Sequence, residues 1–186
     1  MKIEDNSFYI GWINKIPVKF KSEYELVMMF SSISFYPVKA SLKLYLIKGN
    51  DKIEISSIKS LEDKVLISSE DEALDFVRLF TKPELHVFFD LYAIEVFKEG
   101  ENPFEPYGSV DENFYNKYNL KPAKVYKAGE SFIVERFLMF YPDDEGIIPK
   151  RIALVKEYVY SNGKYENEII NEIYDPVIDL IKTPVD

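Results

Sequence analysis

The chain has 186 residues, 32 acidic and 23 basic, for a formal charge of −9, with one histidine and no cysteine. Disulfides, thiolate metal sites and cysteine nucleophiles are excluded, and so is a multi-histidine metal centre, because His86 stands alone. The hydrophobic share of 47% allows a sizeable core, and the length suits one domain over 1–186.

Residues 8–36 are aromatic and ambiguous. Ser22-Glu23-Tyr24-Glu25 matches a capping box, so the apolar run Leu26–Phe30 opens a helix on one reading. It is equally a buried strand, because a short all-apolar run has no period to decide between them. Residues 40–58 read as a hairpin. Leu42, Leu44 and Leu46 alternate with polar positions, Gly49-Asn50 turns the chain, and Ile53 and Ile55 resume the alternation. A two-residue loop there pairs Leu46 with Ile53 and Leu44 with Ile55 on one face.

The clearest helix spans 69–80. Ser69-Glu70-Asp71-Glu72 is a capping box with acids in the first turn, and Ala73, Phe76, Val77 and Phe80 form one apolar stripe. Pro83 ends the pattern and opens a second short helix at 83–90. Residues 99–123 collect Gly100, Pro103, Pro106, Gly108 and Pro122, so a long loop is expected there, and any subdomain boundary would fall in it.

The last third reads as a three-stranded antiparallel meander. Its strands are Phe132–Tyr141, Arg151–Tyr160 and the run from Tyr165, the last two joined by Asn162-Gly163 as a two-residue turn. Asp175-Pro176 ends it, and 177–182 form a short terminal helix. The expected fold class is therefore α+β: an antiparallel sheet of hairpins and a C-terminal meander packed against one main helix, 69–80.

Closing the last hairpin on Asn162-Gly163 pairs Tyr160 with Tyr165 and Glu157 with Glu168. If Tyr141 faces Arg151, Glu135 joins them, and three carboxylates form a row that a cation, a basic partner or solvent must offset. A register shifted by one would instead pair Glu135 with Lys156, making the row an ordinary solvated face.

His86 has the only side chain titrating near neutrality, and Asp90 lies one helical turn away. No nucleophile is near in sequence, so a structural histidine is the simpler reading. Asp143-Asp144-Glu145-Gly146 lacks the alternation of a calcium loop and reads as an acidic turn. Pro103-Phe104-Glu105-Pro106 has only the minimal spacing of a polyproline ligand, and Phe104 and Tyr107 there fit better as anchors of the loop to the core.

Only three arginines occur, Arg78, Arg136 and Arg151, and they are scattered, so phosphate binding and a nucleic-acid partner are not expected. No glycine-rich phosphate loop is present, and no cofactor is expected. No apolar run approaches the roughly 18 residues of a membrane span, and Met1–Ser7 does not open a leader, so a soluble, cytoplasmic protein without a membrane partner is expected.

The chain carries 14 tyrosines, more than one core needs, and tyrosine is enriched at interfaces. These features together favour a non-enzymatic acidic binding protein that engages a protein partner, with a basic one preferred, through an acidic, aromatic surface. The expected contacts are Phe104, Tyr107, Tyr115, Tyr118, Glu135, Glu157 and Glu168; no catalytic or metal-binding residue is assigned. The alternatives are a binder of a small apolar ligand between the helix and a curved sheet and, last, a carboxylate-dependent enzyme. The oligomeric state is not legible.

Overall fold

The structure is a computed structural model that describes residues 9–33, 39–85, 88–89, 91–142 and 149–183. The N-terminal strands are β1 (Tyr9–Lys15), β2 (Lys21–Ser22), β3 (Glu25–Ile33), β4 (Lys39–Lys48), β5 (Asp51–Ile55) and β6 (Val65–Leu66), followed by helix α1 (Glu70–Leu79). Next come β7 (Ala93–Glu95), β8 (Phe97–Lys98), β9 (Ser109–Val110) and helix α2 (Glu112–Lys117). The chain ends with β10 (Lys124–Ala128), β11 (Ser131–Phe140), β12 (Arg151–Tyr160), β13 (Tyr165–Ile173) and a 3-10 turn at Pro176–Leu180.

These strands form two larger antiparallel sheets. One has the order β1-β3-β4-β5; the other runs β10-β11-β12-β13, with β7 also pairing β11. The class is α+β, as the hydrophobic pattern implies. No helix among the described residues is long and apolar enough to cross a membrane.

The ambiguous run at 24–30 is strand, not helix. Leu26 and Met28 are buried and lie opposite Leu46 and Leu44. The Ser22 hydroxyl accepts the Tyr24 amide in a turn rather than capping a helix. The 40–58 hairpin has the expected register, Leu46 opposite Ile53 and Leu44 opposite Ile55, with Gly49 at φ +58 at the head of its two-residue turn.

Helix α1 starts where the capping signal lies. Ser69 accepts the Glu72 amide, and the Glu72 carboxylate reaches back to the amide and hydroxyl of Ser68. Phe76, Val77 and Phe80 are fully buried. They join Leu26, Leu44 and Leu46 from the first sheet and Phe132, Val134 and Val159 from the second in one core. Phe80 is the hub of its aromatic part, 4.9 Å from the rings of Phe76 and Phe89 and 5.2 Å from Tyr165.

Residues 83–85 are turn rather than helix. His86 and Asp90 lie outside the described residues, as does the acidic turn from Asp143 to Gly146. The 99–123 segment is more ordered than a loop. It holds β9, which pairs β8 in parallel, and α2, capped by Asp111. Val110, Phe114 and Leu120 from this segment form a second core with Met139, Ile152 and Ile178.

The last hairpin corrects the expected register. Its loop has three residues, Ser161-Asn162-Gly163: the Tyr160 amide donates to Lys164 O and the Gly163 amide to Tyr160 O. Gly163 sits at φ +81, as glycine does where a type I turn ends in a bulge. The extra loop residue moves the pairs from Val159 to Val155 by one, so Tyr165 faces Val159, Glu157 faces Asn167 and Glu168 faces Lys156; the bulge after Val155 restores the expected pairing from Leu154–Asn171 onward. A built Cβ on Gly163 would lie 2.3 Å from Val65 Cγ2 and 3.1 Å from Leu61 O, so this turn is wedged against β6. The Asp63 amide bonds to Asn162 O and the Ile67 amide to Ser161 O, pinning the turn in place. Local preference for a two-residue turn yields to this docking.

Candidate functional site

The second core builds a groove on one side of the molecule. Gly108 packs so closely on β7 that a Cβ would fall 2.4 Å from Glu95 O, and its amide donates to Lys182 O. Asp175 clamps the C-terminal turn to α2: its carboxylate accepts Lys117 Nζ at 2.8 Å, the Tyr118 hydroxyl and the Val177 amide. These hydrogen bonds, led by the one from Lys117, hold the Asp175 carboxyl at about 2 against an ordinary 3.8.

Between α2, the 99–111 segment and the C-terminal turn lies a groove of about 420 Å³. Glu99, Glu105 and Asp111 supply its carboxylates, against one cation from Lys182. Val177 and Leu180 on its rim are 43% and 81% exposed, and Phe114 lies beneath. The volume is in the range of small binding clefts, and the mixture of acids with uncovered apolar carbon suits a ligand that is both basic and apolar. The Glu105 carboxylate also accepts the Gly100 amide, which ties the rim of the loop to itself.

The aromatic residues expected as contacts mostly build the groove instead of lining it. Phe104 packs edge-on to Phe97 at 6.1 Å. Tyr107, Tyr115 and Tyr118 are half-buried against the second core, and burial, then Glu101, raises the Tyr115 hydroxyl above its ordinary value. Between those rings the groove is lined by Glu105, Pro106, Ser109, Val110, Asp111 and Phe114.

Glu135, Glu157 and Glu168 do not form a row. Glu135 faces Lys156, and Lys156 faces Glu168, so charges alternate across the outer face of the sheet. Tyr126 donates to Glu135 at 2.7 Å and Tyr158 to Glu168 at 2.6 Å. Glu157 lies on the opposite, inner face and is fully buried. The expected like-charge strain is relieved by the one-residue register shift.

Glu157 belongs to a buried ion network that the sequence reading missed. The Arg136 guanidinium spends all five N–H donors. Its Nε and Nη2 bond Glu157 at 2.6 and 2.9 Å; Nη1 bonds Thr81 Oγ1 and Glu95 at 2.8 and 3.1 Å; Nη2 also bonds Val77 O at 2.8 Å. Arg78 grips Glu95 with two more bonds of 2.9 Å. The Tyr165 hydroxyl donates to Glu157 at 2.8 Å. Burial disfavours the Arg136 charge, but the carboxylates of Glu157 and Glu95 outweigh it and raise its pKa. Burial, then Glu157, raises the Tyr165 hydroxyl well above the ordinary phenol value.

A signal for this network exists in the sequence. Arg136 is in phase with Val134 and Leu138, and Glu157 with Val155 and Val159, all on core-facing positions. Two opposite charges in register with buried aliphatics require each other.

Among the described residues, no three His, Cys, Asp or Glu side chains converge as a metal site. No protein-family model, curated protein or solved structure matches the chain.

Proposed function

We propose that the protein is a binding protein without chemistry of its own, and that it takes a basic, partly apolar segment of a partner protein into the groove beside α2. The observation that carries this reading is the groove itself, where Glu99, Glu105 and Asp111 outnumber Lys182 around exposed Val177 and Leu180. An apolar side chain of the partner would cover Leu180 and Val177 while lysine or arginine neighbours meet the carboxylates. The charge of −9 adds long-range attraction for a basic partner.

The two alternatives have less support. The interface between α1 and the second sheet, where the alternative reading puts a small apolar ligand, is filled by Phe76, Val77, Phe80 and the Arg136 network. A carboxylate-dependent reaction would lack its most buried acid, because Glu157 is already bound to Arg136 and Tyr165.

The test is capture of partners from the native host, followed by binding of the purified partner across a salt series. Affinity should fall as salt rises, and Glu99→Lys and Leu180→Ser should each weaken it while the fold is retained. Binding without salt dependence, or unaffected by both substitutions, would overturn the groove reading. A turnover lost on mutating a carboxylate, with folding intact, would overturn the non-enzymatic reading.

A further inference from the structure

β13 is an edge strand among the described residues: it pairs β12 on one side and no other described strand. Every residue from Glu166 to Glu172 is exposed. The hydrogen bond from the Tyr160 amide to Lys164 O makes 160 and 164 a bonded pair, and bonded pairs alternate along an antiparallel ladder. Tyr158–Glu166 and Lys156–Glu168 are therefore bonded pairs. Tyr165 and Asn167, between them, present their N–H and C=O groups to the open side. A bulge interrupts the ladder after the pair Val155–Ile169, so the regular free edge runs from Tyr165 to Ile169.

This edge does not face bare solvent along its whole length. A cleft of about 680 Å³ lies beside its first residues, with Tyr165 and Asn167 on one side and Ile58, Lys59, Glu62 and Leu91 on the other. Beyond the cleft, Ile169 and Ile170 are 44% and 53% exposed. Proteins blunt free edges with charges and bulges, and β13 has both, yet it also keeps two neighbouring isoleucines exposed next to the cleft. That combination suits a strand that is added, not one that is only guarded.

We propose that the free edge of β13 is a strand-addition site for an extended segment of a basic partner protein, whose backbone pairs with Tyr165 and Asn167 and whose apolar side chain seats against Ile58 and Leu91. Backbone pairing supplies the affinity, and alternate side chains supply the selection. Within the free edge β13 carries Glu166 and Glu168 and no lysine or arginine; their cations, Lys164 at 2.7 Å and Lys156 at 3.9 Å, stand beside the strand and on β12, so lysine or arginine on the added strand meets these acids from the open side. The same acids disfavour a second copy, because antiparallel self-pairing would set acids of one strand beside those of the other. The cleft shares no lining residue with the groove beside α2, so this inference does not rest on that reading.

The test uses the full chain and a blocked synthetic peptide of alternating lysine and valine, with amide hydrogen exchange followed residue by residue. The peptide should slow exchange at Tyr165 and Asn167, and N-methylation of its pairing amides should weaken binding about tenfold or more. A matching glutamate–valine peptide should bind more weakly. Unchanged exchange at both amides, or binding indifferent to N-methylation, would overturn strand addition. Equal binding of the glutamate–valine peptide would overturn the choice of a basic partner. Protection of the same amides that rises with protein concentration, without peptide, would assign the edge to a second copy instead.

Discussion

Arg136 and Glu157 form a two-point ion pair, at 2.6 and 2.9 Å, in which neither side chain touches solvent. They come from adjacent strands, and the Arg136 guanidinium also holds Val77 O on α1 and Glu95 on β7. One cation therefore fixes the helix to the sheet at a defined rotation. Removing one partner leaves the other charge buried and unpaired. Arg136→Ala or Glu157→Ala should each cost about 3–5 kcal/mol by urea unfolding, whereas Tyr165→Phe, which leaves the ion pair intact, should cost about 1 kcal/mol. Similar small losses for all three would mean that water reaches the network.

Gly163 and Gly49 both sit at positive φ, +81 and +58, but their surroundings differ. A Cβ on Gly49 meets nothing within 4 Å, while one on Gly163 meets Val65 Cγ2 at 2.3 Å. Gly49→Ala should cost only the backbone strain, about 1–2 kcal/mol. Gly163→Val adds the clash with β6 and should cost about 2–5 kcal/mol in the same unfolding assay. Equal costs would show that the turn is not docked on β6.

Phe80 is fully buried among Phe76, Phe89 and Tyr165. Phe80→Ala should remove about 3–5 kcal/mol, the transfer term plus a cavity. Phe104→Ala, at a half-buried loop position, should cost clearly less. The reverse order would place the main core around the loop instead of around α1.

Asp175 binds its proton more weakly folded, at about 2, than its ordinary value of 3.8. A depressed folded pKa means that its stabilising contribution is complete above 3.8 and is lost as pH falls through about 2. A carboxyl titration by NMR should place its midpoint near the lower value. Replacing Lys117 with Met and Tyr118 with Phe together should move it back towards the ordinary one. A wild-type midpoint near the ordinary value would mean that α2 and the C-terminal turn are not clamped in solution.

The elements legible in the sequence were those specified by neighbours in the chain. Ser69 and Glu72 mark the start of α1 because capping acts across a single turn. Gly49-Asn50 sets the register of the β4–β5 hairpin because nothing else presses on that turn, and alternating leucines meet alternating isoleucines across it. The α+β class followed from such local patterns, as did the burial of Phe76, Val77 and Phe80. Phe104, Tyr107, Tyr115 and Tyr118, the aromatic contacts expected from the sequence, do not line the groove, whose border in that stretch is Glu105, Pro106, Ser109, Val110, Asp111 and Phe114.

The tertiary structure decided what depends on segments far apart in the chain. Asn162-Gly163 has a local preference for a two-residue turn, but hydrogen bonds from Asp63 and Ile67 and contact with Val65 hold a three-residue loop. That one added residue separates Glu157 from Glu168 and sets Lys156 opposite Glu168, while the β11–β12 register, with Phe140 facing Arg151, sets Lys156 opposite Glu135. The run at 24–30 became strand because β4 supplies partners for Leu26 and Met28, which no local period encodes. Glu157 was read as a surface acid because its charge is visible in the sequence and its partner is not. Whether a carboxylate faces water or a guanidinium depends on which distant strand lies opposite, and burial makes that choice matter most where local sequence says least.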